Sequence, residues 1–368
     1  MTTDESTNDG YELITEVEHL HYYLKQALKL EHATIPPYIT ALYSLKPGTN
    51  LEAFHIIRAV AVEEMLHLTL IANIFNAVGG NMKSTLTAPD FVPQYPTGLP
   101  TGATDFKVGL SKFSPETVET FIKIERAEEV EEDKPLVVSR PRQEHSHFLT
   151  IQNGNPSDTF YSIGLFYAEI VRGLYALHKQ MGDALFCGAP QRQITPQYYY
   201  NGGGDIIPVR DLRSAIRALK MIQEQGEGSR GDAIYDAERE LGHYYRFQQL
   251  KLQRYYVIDN DDPEQSDHPG HPTGASFKVD WDAVYPLKNN ARLSDYPEGT
   301  EVYAAAKEFQ SAYSKFLADL EFAFDGHPEA LIPAVGGMFR LKEQATNLIR
   351  NPIPGMDGVH AAPIFRLD

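Results

Sequence analysis

The sequence of 368 residues predicts an all-α protein. We expect a four-helix bundle with a long crossover between its second and third helices and additional helices at the C-terminal end. Two observations lead to this fold class. Apolar residues recur at three- and four-residue steps over several long segments, which is the spacing of one helix face. Two of these segments also carry the motif Glu-x-x-His, which places both side chains on one side of a helix.

The first two bundle helices are predicted over 11–45 and 51–78. Their apolar positions follow the helical period, and Gly79-Gly80 ends the second helix. Pro36-Pro37 is expected to kink the first helix, because proline removes a backbone hydrogen-bond donor. The connection between the two helices is short, which favours an antiparallel pair.

A long connection over 81–155 follows the second helix. It is rich in proline, glycine and threonine in its first part. Ser114-Pro115-Glu116 is typical of a helix start, and this helix is predicted to run to about Glu132. Connections of this length are uncommon in compact domains, so we expect a functional loop or lid. The later helices of the bundle region are predicted over 157–186, 209–225 and 232–258.

We expect two structural parts. The bundle with its crossover insert spans 11–258, and a C-terminal extension packed on the bundle spans 259–368. Within the extension, Phe277, Val279 and Trp281 alternate as they would in a short strand. Two helices are predicted after it, over 301–324 and 328–350.

Composition excludes several classes of protein. The net charge of -17 opposes binding to nucleic acid, whose phosphates would be repelled. Cys187 is the sole cysteine, so an intramolecular disulfide is excluded and an iron–sulfur cluster lacks ligands. We find no secretory signal and no stretch of about 20 apolar residues that would span a membrane. The expected location is the cytoplasm.

The two Glu-x-x-His motifs are Glu64 with His67 and Glu240 with His243. Three helical residues turn the chain by about 300°, so each pair lies within about 60° on the helix surface. A carboxylate and an imidazole placed in this way are able to bind one metal ion together. Glu31 and Glu169 supply one further carboxylate from each of two other predicted helices.

This order of residues is typical of the dinuclear carboxylate site of ferritin-like bundles. The predicted metal ligands are therefore Glu31, Glu64, His67, Glu169, Glu240 and His243. Carboxylates and imidazoles suit iron or manganese, and bridging carboxylates hold two ions about 3.5–4 Å apart. We predict two iron ions, and the same ligands permit manganese. The alternative is that these carboxylates form buried salt bridges with Arg58, Arg172, Arg239 and Arg246.

Four neighbouring residues have other expected roles. Tyr38 and Asp236 are candidates for residues that support the ligands, although a core position is the simpler interpretation of Tyr38. Glu63 and His32 each lie one position from a predicted ligand, about 100° away around the helix. We expect Glu63 either to contact a metal ligand without binding the metal itself or to face solvent. We expect His32 to pack in the core or to form a hydrogen bond. No catalytic residue is assigned.

Several runs resemble a known family. They are Leu30-Glu31-His32-Ala33-Thr34-Ile35-Pro36-Pro37-Tyr38, Val62-Glu63-Glu64-Met65-Leu66-His67-Leu68, Tyr95-Pro96 with Leu99-Pro100, and Gly226-Glu227-Gly228 leading to Glu240-Leu241 and His243-Tyr244-Tyr245 with Phe247. Over about 11–253 the chain is similar to the ferritin-like domain of violacein-type iminophenyl-pyruvate dimer synthases. The resemblance implies a ferritin-like helical bundle with an oxidative role.

The predicted function is that of a non-haem dinuclear iron oxidase or oxygenase. Its partners would be dioxygen and a small amino-acid-derived or secondary-metabolite substrate, and the prediction allows for an external reductant and a homo-oligomer. One alternative is a dimanganese site that disproportionates peroxide, as in a catalase. The other is a ferritin-like protein that binds metal, or keeps its carboxylates as salt bridges, without catalysis.

Overall fold

The computed structural model describes residues 13–99, 106–126, 163–227, 240–257 and 272–368. Within these ranges the regular structure is helical, and pairing between extended segments is confined to isolated bridges. The all-α fold class is therefore confirmed. The α-helices are α1 (Val17–Ser44), α2 (Leu51–Ala77), α3 (Pro115–Ile124), α4 (Ile163–Met181), α5 (Leu212–Glu227), α6 (His243–Leu252), α7 (Glu301–Phe324) and α8 (Leu331–Ile349).

Helices α1 and α2 form the central pair. Their apolar faces bury residues such as Leu24, Leu28, Val60 and Ile71 against each other and the rest of the core. The ring of His21, near the start of α1, lies 2.8 Å from the carbonyl oxygen of Val78, just after α2. The start of α1 therefore lies beside the end of α2, which confirms that the two helices are antiparallel.

Pro36 and Pro37 lie inside α1, which continues to Ser44. Pro37 has no amide hydrogen, so the carbonyl of Ala33 one turn earlier lacks its usual helical partner. The hydroxyl of Tyr95, in the crossover, donates to that carbonyl at 2.7 Å. The crossover is thereby attached to the point where α1 loses its own hydrogen bond.

The remaining bundle elements surround this pair. Helix α4 packs on α1 and α5, helix α5 also packs on α2, and the short helices α3 and α6 pack together. Ser114 caps α3 by accepting a hydrogen bond from the amide of Thr117 at 3.2 Å, as predicted. The side chain of Asn73 on α2 bonds the backbone of Ile194 and Ile207, which holds the connection between α4 and α5 against the bundle.

The C-terminal helices α7 and α8 pack on each other and on the outer faces of α2 and α1. Asn76 of α2 donates to the carbonyl of Phe324 at the end of α7, and Glu321 of α7 accepts hydrogen bonds from the backbone of Leu86 and Thr87. The expected strand over 277–281 is wrong, because this segment forms only turns and extended chain. The domain division at residue 258 stays a prediction.

None of the helices in the described ranges combines the length and the apolar character needed to cross a membrane.

Candidate metal centre

Five buried side chains converge between α1, α2, α3 and α6. They form two groups of potential metal ligands, with the ligand atoms of each group within 4.8 Å of one another. The first group is Glu31, Glu64 and His67, and the second is Glu64, Glu125 and His243. Glu64 belongs to both groups, so its carboxylate is shared between them. We refer to these five residues as the carboxylate–histidine cluster.

His67 presents its Nδ1 atom to the cluster. The amide nitrogen of Gln225 donates to the carbonyl of Gly203 at 2.9 Å, which turns the amide oxygen towards His67. Nε2 of His67 donates to that oxygen at 2.8 Å. In a neutral imidazole the lone pair is then on Nδ1, which lies 3.2 Å from Oε2 of Glu31.

His243 has the same orientation. Its Nε2 atom donates to Oε2 of Glu63 at 2.8 Å, and the other oxygen of Glu63 lies 3.1 Å from the guanidinium of Arg246. Its Nδ1 atom lies 3.0 Å from Oε1 of Glu64 and 3.4 Å from Oε2 of Glu125. Nδ1 is buried and has no partner with hydrogen-bonding geometry. In a neutral imidazole Nδ1 then carries the lone pair, which faces these carboxylate oxygens, and this arrangement fits a metal ligand.

Hydroxyl groups hold the three carboxylates from the outside. Tyr167 donates to Oε1 of Glu31, and Tyr38 donates to Oε1 of Glu125. Thr34 donates to Oε2 of Glu64 at 2.9 Å. Each carboxylate thus has one oxygen bound by a hydroxyl, and its other oxygen faces an imidazole. Burial and the nearby carboxylates raise the pKa of both tyrosines well above the usual range, so they stay protonated donors.

The electrostatics of the cluster favour a cation. Burial, followed by the charges of Glu125 and Glu31, raises the pKa of Glu64 to about 7. Burial alone would lower the pKa of His67 and His243, but the neighbouring carboxylates outweigh it and raise both. Carboxylates packed this closely repel one another, and a bound metal ion would remove that repulsion.

A cleft that is partly open to solvent adjoins the cluster. Glu31, Glu64 and Glu125 form part of its wall, and Tyr167 lies beside them. The other walls are mainly apolar: Leu30, Ile124, Ile163 and Ile222.

Comparison with known proteins identifies the family. The model of the Ferritin-like family matches residues 24–252, which is well over half of the chain and contains the whole cluster. The chain belongs to the Ferritin-like family. The expected ferritin-like fold is confirmed.

Two relatives of this Ferritin-like chain are informative. A crystal structure of a ferritin-like protein from Caulobacter vibrioides superposes with a TM-score of 0.61 at 21% identity, over 95% of this chain and 98% of that one. Dichlorochromopyrrolate synthase from Lentzea aerocolonigenes is 24% identical over 335 residues, covering 84% of this chain. The alignment covers only 29% of the synthase, so this chain corresponds to less than a third of that enzyme.

Two of the six predicted ligands lie apart from the cluster in this Ferritin-like chain. The first is Glu169 on α4, whose carboxylate accepts from the guanidinium of Arg172 at 2.6 and 2.7 Å and from the amide of Ile14 at 2.7 Å. The salt-bridge alternative therefore describes Glu169. Its partner Arg172 is one helical turn away, and the pair attaches the segment before α1 to α4.

The second is Glu240, which is exposed and lies 3.4 Å from Arg246. Its predicted pairing with His243 assumed a continuous helix, but α6 begins at His243 after Gly242. The two side chains therefore do not share a helix face. Asp236, the proposed supporting residue, lies outside the described residues.

The structure brings Glu125 into the cluster, although the sequence pattern did not single it out. It lies just beyond the end of α3, where no Glu-x-x-His motif marks it. The available signal was a carboxylate next to Ile124 and near Phe121, on the single capped helix predicted in the crossover. The other expectations agree with the contacts: Tyr38 and Glu63 bond cluster residues, and His32 bonds Tyr313.

Proposed function

We propose that the chain binds two iron ions in the carboxylate–histidine cluster and is a non-haem di-iron oxidase or oxygenase. Glu31 and His67 would bind one ion, Glu125 and His243 the other, and Glu64 both. The observation that carries the proposal is the shared position of Glu64 between two ligand groups whose histidines both present Nδ1. Manganese would fit the same donors, whereas zinc would favour more histidine or sulfur.

The charges support two divalent ions. Three carboxylates contribute three negative charges, which offset most of the four positive charges of such a pair. Glu63 lies behind His243 and adds a further carboxylate close to the site. Bound iron would supply the redox chemistry with dioxygen that these side chains lack.

The chain itself would supply geometry and a sheltered cleft. Tyr38 and Tyr167 hold one oxygen of a carboxylate each, so that the other is directed inward. Gln225 and Glu63 fix the two imidazoles in the orientation that ligation requires. The apolar walls of the adjoining cleft would exclude water and position an uncharged part of the substrate.

We infer that the substrate is a small amino-acid-derived or secondary metabolite. The support is the similarity to a synthase named for dichlorochromopyrrolate and the mainly apolar cleft beside the cluster. Dioxygen is the second proposed substrate. The proposal also includes an external reductant and a location in the cytoplasm.

Oxygen uptake tests this function. The chain is loaded anaerobically with ferrous iron, exposed to dioxygen, and compared with His243→Ala. The proposal expects rapid oxygen consumption by the wild type and at least a tenfold slower rate in the variant. Equal rates in both proteins would contradict it. Oxygen release from hydrogen peroxide by manganese-loaded protein, without uptake by the iron form, would favour the catalase-like alternative.

A further inference from the structure

A second cavity, partly open to solvent, lies between the bundle and the C-terminal helices. Helix α1 contributes His32, which follows the cluster residue Glu31, and α2 contributes Met65, which follows Glu64. Neighbouring helical residues point about 100° apart, so this cavity and the metal centre occupy different faces of the same two helices. Helices α7 and α8 form the opposite wall with residues that include Tyr313, Phe316, Leu320 and Val335.

The lining of this cavity is apolar and uncharged. Among the described residues around it there is no Asp, Glu, Lys or Arg. The polar groups are His32, Thr69, Tyr200 and Tyr313, and the hydroxyl of Thr69 already donates to the carbonyl of Met65 at 2.9 Å. An ion would lose its hydration here without compensation, so the lining selects a neutral molecule.

The His32–Tyr313 pair has one polar hydrogen without an acceptor. The imidazole of His32 is only 3% exposed, and its Nε2 atom lies 2.6 Å from the hydroxyl of Tyr313. Its Nδ1 atom is buried and has no hydrogen-bond partner. A neutral imidazole carries one hydrogen and a phenol carries another, and the bond between them uses one. Whichever group donates, one donor of this pair is left without a partner, and both residues line the cavity.

We propose that this cavity binds a neutral, largely apolar small molecule with a carbonyl oxygen that accepts the spare hydrogen of the His32–Tyr313 pair. A water molecule is a poorer occupant, because buried waters need two to four polar partners and the walls are mainly apolar. Access is available along Ile35, Phe316, Val335 and Met338, which are partly exposed. The proposal is independent of the iron chemistry.

Two methionines at the cavity allow a direct test. The whole chain is labelled with ¹³C at the methionine methyl groups and titrated with acetophenone, ethylbenzene or benzoate. We expect acetophenone to shift the signals of Met65 and Met338, while those of Met82, Met181 and Met356 stay unchanged. Ethylbenzene has nearly the same shape without the carbonyl and should bind roughly three- to tenfold more weakly. Benzoate should produce no shift.

Replacement of His32 tests the hydrogen bond itself. In His32→Phe the preference for acetophenone over ethylbenzene should disappear, whereas the control His55→Phe, at an exposed position, should keep it. The wild-type titration alone decides the proposal if the variant does not fold. Absence of shifts at Met65 and Met338 with millimolar probe, or equal affinity for the two neutral probes, would overturn it.

Discussion

Tyr38 donates its hydroxyl hydrogen to Glu125, although 87 positions separate the two residues in the sequence. On the opposite side of the cluster, Tyr167 donates to Glu31 in the same way. In both cases the second carboxylate oxygen faces the Nδ1 atom of a histidine. Glu125 and Glu31 thus share one arrangement, with a tyrosine hydroxyl on one oxygen and an imidazole near the other. Glu125 is therefore equivalent to Glu31 as a potential ligand.

Replacing Glu125 by Gln should weaken metal binding. The amide removes one of the charges that offset the ions, and we expect the iron content to fall from about two towards one per chain. The matched control is Glu169→Gln, because Glu169 is buried on a bundle helix but lies apart from the cluster. Elemental analysis after equal loading compares the two. Loss of metal in the Glu169 variant alone would reverse our assignment.

Replacing Gln225 by Leu should reduce metal affinity by roughly tenfold or more. The amide oxygen of Gln225 fixes the orientation of His67, and residues that orient metal-binding histidines commonly contribute this much. Gln223→Leu, on the same helix and at the cleft wall, is the control. Competition with a chelator of known affinity measures the effect. Equal affinities of the two variants would show that the hydrogen bond does not support the site.

Replacing Arg172 by Met should lower stability without changing metal content. The Glu169 carboxylate is only 2% exposed, and it would lose two of its hydrogen bonds while keeping the one from Ile14. An incompletely paired buried charge is costly, so we expect a loss of about 2 kcal/mol in the free energy of unfolding. Urea denaturation measures this change. Unchanged stability would mean that the pair contributes nothing to the attachment of the segment before α1.

Metal-free protein should lose stability as the pH rises from 6 to 8. The pKa of Glu64 is raised to about 7 in the folded chain from an ordinary 4.5, mainly by burial. Its contribution is therefore fully present below pH 4.5 and is lost as the pH rises through 7. The pKa values of His67 and His243 are also raised, so their contributions fall in the same direction.

Urea midpoints at pH 6 and 8, with a chelator present, measure this effect. Glu64→Gln is the matched variant. From pH 6 to 8 the free energy of unfolding of the wild type should fall by on the order of 1–3 kcal/mol more than that of the variant. Bound metal displaces the protons, so the stabilisation by metal should grow with pH. If the wild type and Glu64→Gln lose the same stability between the two pH values, the assignment of this pH dependence to Glu64 is contradicted.

The helices with long apolar periods were predictable from the sequence. The observed bounds of α7 equal the predicted ones, and those of α2 differ by one residue, because helix period and terminating residues agree in these segments. The alternation at Phe277, Val279 and Trp281 predicted a strand, but a strand needs a hydrogen-bonded neighbour. Pairing here is limited to the single bridge between Arg254 and Ser276 within the described chain.

The candidate site was predictable where the ligands share one regular helix. Glu64 and His67 meet that condition, whereas Gly242 precedes the start of α6 and separates Glu240 from His243. The apolar neighbours of Glu169 favoured a metal ligand over the salt-bridge alternative, which named Arg172, but Arg172 is its partner in the structure. Glu125 reaches the cluster through the packing of α3 on α6, a long-range contact that no local spacing encodes.

The metal content of the purified chain tests the central claim most directly. Elemental analysis after anaerobic loading with ferrous iron and removal of unbound metal should give about two iron ions per wild-type chain. His67→Ala and His243→Ala should each retain one or fewer. A folded wild-type chain that holds no iron, or variants that both retain two ions, would contradict a two-metal centre at the carboxylate–histidine cluster.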